Sequence, residues 1–393
     1  MKKRTLLLIT AICPFPQDSG GATRIKNTIK ELSKKFKIYL ISFKNPNYQF
    51  NNQEKNQLQK WCKKSIFIPL SEQKTLGSFF NVGQPYWFSN WYSPELIAIT
   101  KSILKQEKID LIQVEFSQLL YLIDYLIKKN QKKCVFTSHD ISTISFFRRL
   151  SEVKNLKYKI IHFLRFIEIY LYEKKYLPKY KVINAVSKND SILLKKYFKP
   201  QKVITIPNGI EKIEFLKPIK KQNNSIVLGY IGSFSHPPNK TAFIYFVKKI
   251  APELEKEKIN YKYILAGKND NSEVDKILSK IKPTIKNNIN NIGFVDSPKD
   301  FFNQIDILIT PIFAGSGSRI KILEALGYGK KIISSPVGAE GINITTNLIS
   351  ICHSPKEYTG KIKDFLLKVE KIDIKKEKTH ISQLTWEHIF KNY

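Results

Sequence analysis

A single rhythm limits the folds open to this chain. Short apolar runs, turns on small residues and amphipathic stretches with helical spacing follow one another along it. The first set holds the run Leu6–Ile12, the Gly20-Gly21 turn, a helix near Arg24–Lys35 and the run Ile38–Phe43. Further runs at Leu111–Val114, Lys133–Ser138 and Val182–Val186 continue it. The second set has Ile226–Ile231, Tyr263–Ala266, Ile307–Pro311 and Lys331–Ser335, with helical stretches between. Strands alternating with helices predict parallel sheets covered on both faces. The expected class is α/β, with two Rossmann-like doubly wound domains facing a central cleft. Pro207-Asn208-Gly209 and the polar Lys217–Ser225 stretch read as the connection between them. Ligands of such sheets sit beyond the carboxyl ends of the strands, so the cleft is the expected site.

Composition agrees with this class and removes others. The 393 residues are 42% hydrophobic and 25% charged, which excludes a disordered tail or a disulfide-built miniprotein. Their number suggests two cores. Cys13, Cys62, Cys134 and Cys352 are scattered, none in a C-x-x-C spacing or paired with His, so reduced thiols and a cytoplasmic location are expected, with no metal. Met1–Arg4 followed by Thr5–Cys13 has the charge order of a signal peptide. The apolar stretch is short, though, and lacks an A-x-A-like site, so a buried first strand is the favoured reading. No run approaches the ~20 apolar residues of a membrane-spanning helix.

The charge is +33 and unevenly placed. Residues 1–200 hold 36 basic and 14 acidic side chains, the remainder 30 and 19. Between Ile141 and Pro200 there are fourteen Lys/Arg against four acids, interleaved with Phe146, Phe147, Phe163, Phe166, Tyr170, Tyr172 and Tyr176. A helix near Leu156–Tyr176 would carry aromatics on one side and Lys on the other. Two readings stand side by side: a packed helix with a solvated basic face, or an element on an anionic membrane surface.

The strongest local signal runs from Pro311 to Gly329 and contains Gly315, Gly317, Arg319, Lys321 and Glu324. It begins where a strand should end, turns on glycines and enters an apolar-periodic helix. Glycine lets backbone N–H groups approach a phosphate, and a helix start favours negative charge. Arg319 and Lys321 add cations there. The spacing matches neither a Walker loop nor G-x-G-x-x-G after the first strand. A plain strand-to-helix turn with a surface arginine is the competing reading.

Ordered along the chain, these motifs resemble the retaining GT-B glycosyltransferases of family 4, also called glycosyltransferase group 1. The resemblance rests on Pro14–Arg24, His139-Asp140, Val186-Ser187-Lys188, Ile206–Ile210, Gly232-Ser233, Pro238-Asn239, Ala266-Gly267, Gly293-Phe294-Val295, the Gly315–Glu324 block, Pro336–Gly341 and Thr385-Trp386-Glu387. It implies an acceptor-binding domain over 1–206, a sugar-nucleotide-binding domain over 207–380, and a terminal helix over 381–393 returning to the first domain. Glu324 matches the glutamate that bonds the ribose hydroxyls, and backbone at Gly293–Val295 would pair with the base. The diphosphate would lie between the turn Gly20-Gly21, with Arg24 nearby, and the helix start at Gly317, Ser318 and Arg319. His139 matches the histidine that faces the transferred sugar. Arg319 and Lys321 are expected to stabilise the leaving diphosphate without metal or other cofactor.

Two departures from the family pattern stand out. The usual first glutamate, eight positions before Glu324, is replaced by Ser316. The usual Arg and Lys after Gly232 are replaced by Ser233 and by Asn239 or Lys240, and Arg319 and Lys321 are read as their substitutes. Glu115, after a first-domain strand, is a weaker candidate for the acceptor cleft.

The resemblance implies a metal-independent, retaining hexosyltransferase that acts on a nucleotide-sugar and a surface polysaccharide or glycolipid acceptor. An anionic membrane surface is the expected partner of the basic first half, which makes the chain peripheral on the inner face of the membrane. A non-catalytic module binding a phosphorylated or lipid-linked glycan is the alternative, motivated by Ser316. Nucleic acid is not expected, because the basic residues are dispersed and no nucleic-acid motif occurs.

Overall fold

The computed structural model describes residues 3–391 apart from 71–84, 151–152, 154, 218–224, 235, 269–270, 315–318, 343 and 368–372. The chain divides into two compact units. One comprises Met1–Pro207 with Phe390–Tyr393 and Gly315–Gly317; the other comprises Asn208–Ala314 and Ser318–Ile389.

The first unit is built on β1 (Arg4–Thr10), β2 (Phe36–Lys44), β3 (Cys62–Pro69), β4 (Leu111–Glu115), β5 (Cys134–Ser138), β6 (Val182–Ala185) and β7 (Val203–Thr205). They form one parallel sheet in the order β3-β2-β1-β4-β5-β6-β7. In β1, Leu6, Leu7, Leu8 and Ile9 are all buried, as a central strand covered on both faces requires. The second unit holds β8 (Ile226–Ile231), β9 (Tyr261–Ala266), β10 (Ile289–Gly293), β11 (Ile307–Thr310), β12 (Lys331–Ser334) and β13 (Ile349–Ile351). Their order is β10-β9-β8-β11-β12-β13, again parallel. Alternate residues feed two cores: Ile226, Leu228, Tyr230, Tyr263 and Leu265 on one face, Ile264, Ala266, Leu308 and Ile332 on the other. The expected α/β class with doubly wound sheets is what the chain adopts.

β3, β7, β10 and β13 escaped the sequence reading, and each ends a sheet. One helix also starts and ends earlier than the expected Arg24–Lys35. It runs Gly20–Leu32 and begins at the two glycines themselves, with the Ser19 side chain accepting from Ala22 N. A Cβ on Gly21 would stand 2.8 Å from Ile12 Cδ1, the tip of a side chain that could swing aside.

The helix Leu156–Tyr176 forms where the pattern placed it, but not with the expected sidedness. Ile169, Tyr172, Glu173 and Tyr176 point into the unit, while Leu156, Ile160, Phe163 and Leu164 are exposed. Apolar residues therefore occupy both faces. Glu173 is its buried anchor, accepting from Ser117 Oγ (2.9 Å), Ser142 N (3.1 Å), Thr143 N (3.0 Å) and Thr143 Oγ1 (2.6 Å). Three of these donors belong to the first two residues of the helix Ser142–Leu150, whose start is thereby capped from another helix. Burial pushes the Glu173 carboxyl up to about 7, against the pull of these donors.

Candidate functional site

In the second unit three strands end on glycines whose backbones touch. Gly232 follows β8, Gly267 follows β9 and Gly293 closes β10. The N–H of Gly232 donates to Ala266 O (2.9 Å), and that of Gly267 to Gly293 O (2.7 Å). Gly267 has φ +135°, and a Cβ on it would lie 2.6 Å from the Gly232 carbonyl. The rim of this half of the sheet is main chain at these positions, crowded by Lys321 and Asn239 at Gly232, with the space a Cβ would take empty only at Gly293.

Beside the rim, the helix Ile320–Gly327 starts after β11 with Arg319 at its N-cap. Arg319 donates from Nη2 to Ala314 O (3.1 Å). Lys321 reaches back to the end of β8. Its Nζ donates to Tyr230 Oη (2.8 Å) and Asn239 Oδ1 (2.9 Å), and lies 3.9 Å from the centre of the Tyr230 ring. Tyr230 donates to Asn239 Oδ1 (2.7 Å), and Asn239 donates from Nδ2 to Ser233 O (2.7 Å). A Cβ on Gly232 would meet Lys321 Nζ at 2.7 Å, so glycine makes room for the ammonium. Burial pushes Lys321 well below its usual range, with Arg319 adding to the shift and Glu324 opposing it. Glu324, one turn on from Lys321 on the same helix face, is raised to about 7, chiefly by burial.

The remaining second-unit candidates fall as follows. Ser233 donates from Oγ to Lys268 O (2.8 Å). Lys240 pairs with Glu273 (2.9 Å), so Asn239 is the one of these two neighbours that joins Lys321. Val295 packs partly against the core beneath the rim, next to exposed Phe294. Gly317 and Ser318 lie outside the described residues, as does Ser316.

In the first unit, Glu115 ends β4 and is fully buried. It accepts from Gln113 Nε2 and is bonded to His139 Nε2. His139 follows β5 and stacks on Phe116, with ring centroids 3.6 Å apart and planes at 15°. Phe116 carries φ +76°, a backbone state that a bulky residue holds only when its surroundings impose it. Burial pushes the Glu115 carboxyl up, but its bond with His139 and the nearby charges leave it below the usual range. Burial also lowers His139, against the pull of Glu115. A neutral imidazole donating through Nε2 leaves Nδ1 as an acceptor. Arg24, one turn into the helix from Gly20 and Gly21, donates from Nη2 to Ile206 O (2.9 Å).

Tyr230 and Glu115 are the functional candidates that sequence reasoning undervalued. Tyr230 sits at a core position by alternation, and only its place two residues before Gly232 marks its hydroxyl as polar support. Glu115 stood as a weaker candidate, and its contact with His139 joins residues 24 positions apart.

Family models match both units. Residues 19–212 match the model described as Glycosyltransferase Family 4, and residues 225–367 match Glycosyl transferases group 1. The chain belongs to the group 1, family 4 glycosyltransferases. Among relatives of this glycosyltransferase, an uncharacterized 44.6 kDa protein in the cps region of Klebsiella pneumoniae is 21% identical over 86% of this chain and 84% of its own length. Sucrose-phosphate synthase from Thermosynechococcus elongatus superposes with TM-score 0.75 at 13% identity, over 98% of this chain and 96% of the other. HepE of Anabaena, solved in complex with UDP, gives 0.64 at 14% identity over 98% and 97%. The fold of this glycosyltransferase is thus GT-B. Among its described residues no helix is long and apolar enough to cross a membrane.

Proposed function

We propose that this glycosyltransferase moves a hexosyl unit from a nucleoside-diphosphate sugar to a surface polysaccharide or glycolipid acceptor, with retention and without a metal ion. The observation carrying this reading is that one helix start presents both a cation and a carboxylate beside a rim of glycine backbone. Lys321, set against Tyr230 and Asn239, meets the diphosphate, and Glu324 accepts from the ribose hydroxyls. Arg319, at the N-cap, supplies a second cation near the leaving phosphate. Such fixed charges stabilise a departing diphosphate in the role a divalent cation fills elsewhere. His139, held by Glu115, presents Nδ1 to a hydroxyl of the transferred sugar. The structures of HepE include one with UDP-glucose, which makes UDP-glucose the first donor to try. The basic first half rests on an anionic membrane that displays the acceptor.

The test is release of UDP from UDP-sugars in the presence of EDTA, with the anomeric configuration of the product read by NMR. Metal-free turnover with retained configuration is expected. A requirement for a divalent cation, or an inverted product, would overturn the corresponding part. Binding should also depend on pH. Glu324 accepts ribose hydroxyls best as a carboxylate, and its carboxyl titrates near pH 7. A nucleotide-sugar has no phosphate titrating there, so the Glu324 contribution to affinity should rise with pH up to about pH 7, while deprotonation of Lys321, which burial also pushes down, opposes it. Glu324→Gln should flatten that rise in calorimetric titrations, and an unchanged slope would remove Glu324 from the ribose.

A further inference from the structure

We infer that the outward apolar stripe of the helix Leu156–Tyr176 is the element that docks this chain on an anionic lipid surface. The inference deepens the reading above, since it gives the proposed membrane contact its residues and rests on that reading for its purpose. Its evidence is separate from the sugar-nucleotide site.

The helix is satisfied on one side over its last two turns, whereas its first turns are exposed around most of their circumference, Tyr158 and Ile161 included. Ile169, Tyr172, Glu173 and Tyr176 bury that side, and Glu173 ties it to Ser117 and to the start of the helix Ser142–Leu150. On the opposite side, the 3.6-residue period aligns Leu156, Ile160, Phe163, Leu164, Ile167 and Leu171. Leu156 is 72% exposed, Ile160 53% and Leu164 60%. Single exposed apolar residues are common, but a stripe running several turns along the side away from the core is not. Rings extend it onto the neighbouring helix. Exposed Phe147 packs 5.7 Å from Phe166, which lies 6.1 Å from Phe163.

Charge decides what covers it. Lys157 and Lys159 flank the stripe, and residues 141–200 hold fourteen Lys/Arg against four acids. Of those acids, Glu173 and Asp190 are buried, and Glu168 accepts from Tyr86 N. The surface around the stripe therefore offers apolar side chains in a positive setting. A second copy would bring the same sign of charge and be repelled. Anionic headgroups over an acyl layer satisfy both features, with the helix lying in the interface plane. At 21 residues the helix is long enough to span a bilayer, but it is too charged and too little apolar to do so.

The test is flotation of the full chain with vesicles of phosphatidylcholine containing about 30% phosphatidylglycerol, against phosphatidylcholine alone. The chain should float with the anionic vesicles only, and added salt should release it. Ile160→Glu combined with Leu164→Glu should lower the bound fraction about tenfold or more. Both side chains are exposed, so thermal unfolding of the variant should match the unaltered chain. Lys157→Ala with Lys159→Ala should weaken binding and reduce its salt dependence. Failure of the unaltered chain to float with anionic vesicles would overturn the inference. So would a glutamate variant that floats as well as the unaltered chain, or a stripe-dependent dimer in sedimentation without flotation. UDP release from UDP-glucose, read in solution on the same preparations, separates the two proposals. Lost flotation with intact turnover counts against docking alone, and the reverse counts against the transfer reading alone.

Discussion

Lys321→Met should lower the turnover of nucleotide-sugar by about 10²–10³ while leaving the melting temperature unchanged or higher. Removing one charge-stabilising donor aimed at a leaving group typically has an effect of that size. The stability half of the expectation comes from burial. The Lys321 ammonium is held in a desolvated place that pushes it well below its usual range, so the folded chain gains nothing from keeping it charged. Methionine fills a similar volume, and Tyr230 keeps its 2.7 Å bond to Asn239 Oδ1. Lys321→Arg should not restore activity, because a planar guanidinium does not fit where a compact ammonium lies over the Tyr230 ring beside Asn239. Kinetics and calorimetric unfolding on the same samples decide it. Turnover within tenfold of the unaltered chain would remove Lys321 from the diphosphate.

Gly267→Ala is expected to be the most damaging single-methyl change at the rim. The added Cβ would overlap the Gly232 backbone, which has no flexible end to swing aside, and φ +135° is itself strained for alanine. Together these should cost about 3 kcal/mol or more. In a unit of this size that is a fall of roughly 10 °C in its melting temperature. Nucleotide affinity should fall with it, since the clash is relieved only by moving Gly232, against which Lys321 Nζ lies. Gly360 is the control, because a Cβ there meets nothing within 4 Å. Equal melting temperatures for Gly267→Ala and Gly360→Ala would refute the close-contact account.

Most of the fold was legible because central parallel strands are buried on both faces and read as continuous apolar runs. Leu6–Ile9 and Ile307–Thr310 are of this kind. The strands that escaped are those with one neighbour. β3 carries Lys63 and Lys64, β10 carries Asn290 and Asn291, and β7 and β13 have only three residues each. Polar, short edges discourage further pairing and for that reason leave a weak signal. At the site, the spacing of Arg319, Lys321 and Glu324 was readable, but the fold alone brings Lys321 to Tyr230, 91 positions away. Asn239 and Lys240 could not be separated in the sequence. Neighbours on a helix point about 100° apart, and only the packing shows which one turns toward Lys321. The helix Leu156–Tyr176 hid its buried side for a related reason, since apolar residues recur on both of its sides.

The glycine rim at Gly232, Gly267 and Gly293 bears on how such an enzyme could change its donor. A surface made of main chain has no side chains to exchange, and its amides are already committed to one another across the strands. Point substitution there destroys the platform before it can alter what the platform accepts. On the proposed reading, a new donor preference would come from side chains outside these three glycines rather than from the rim itself. The platform would be inherited unchanged, and diversity would accumulate around it.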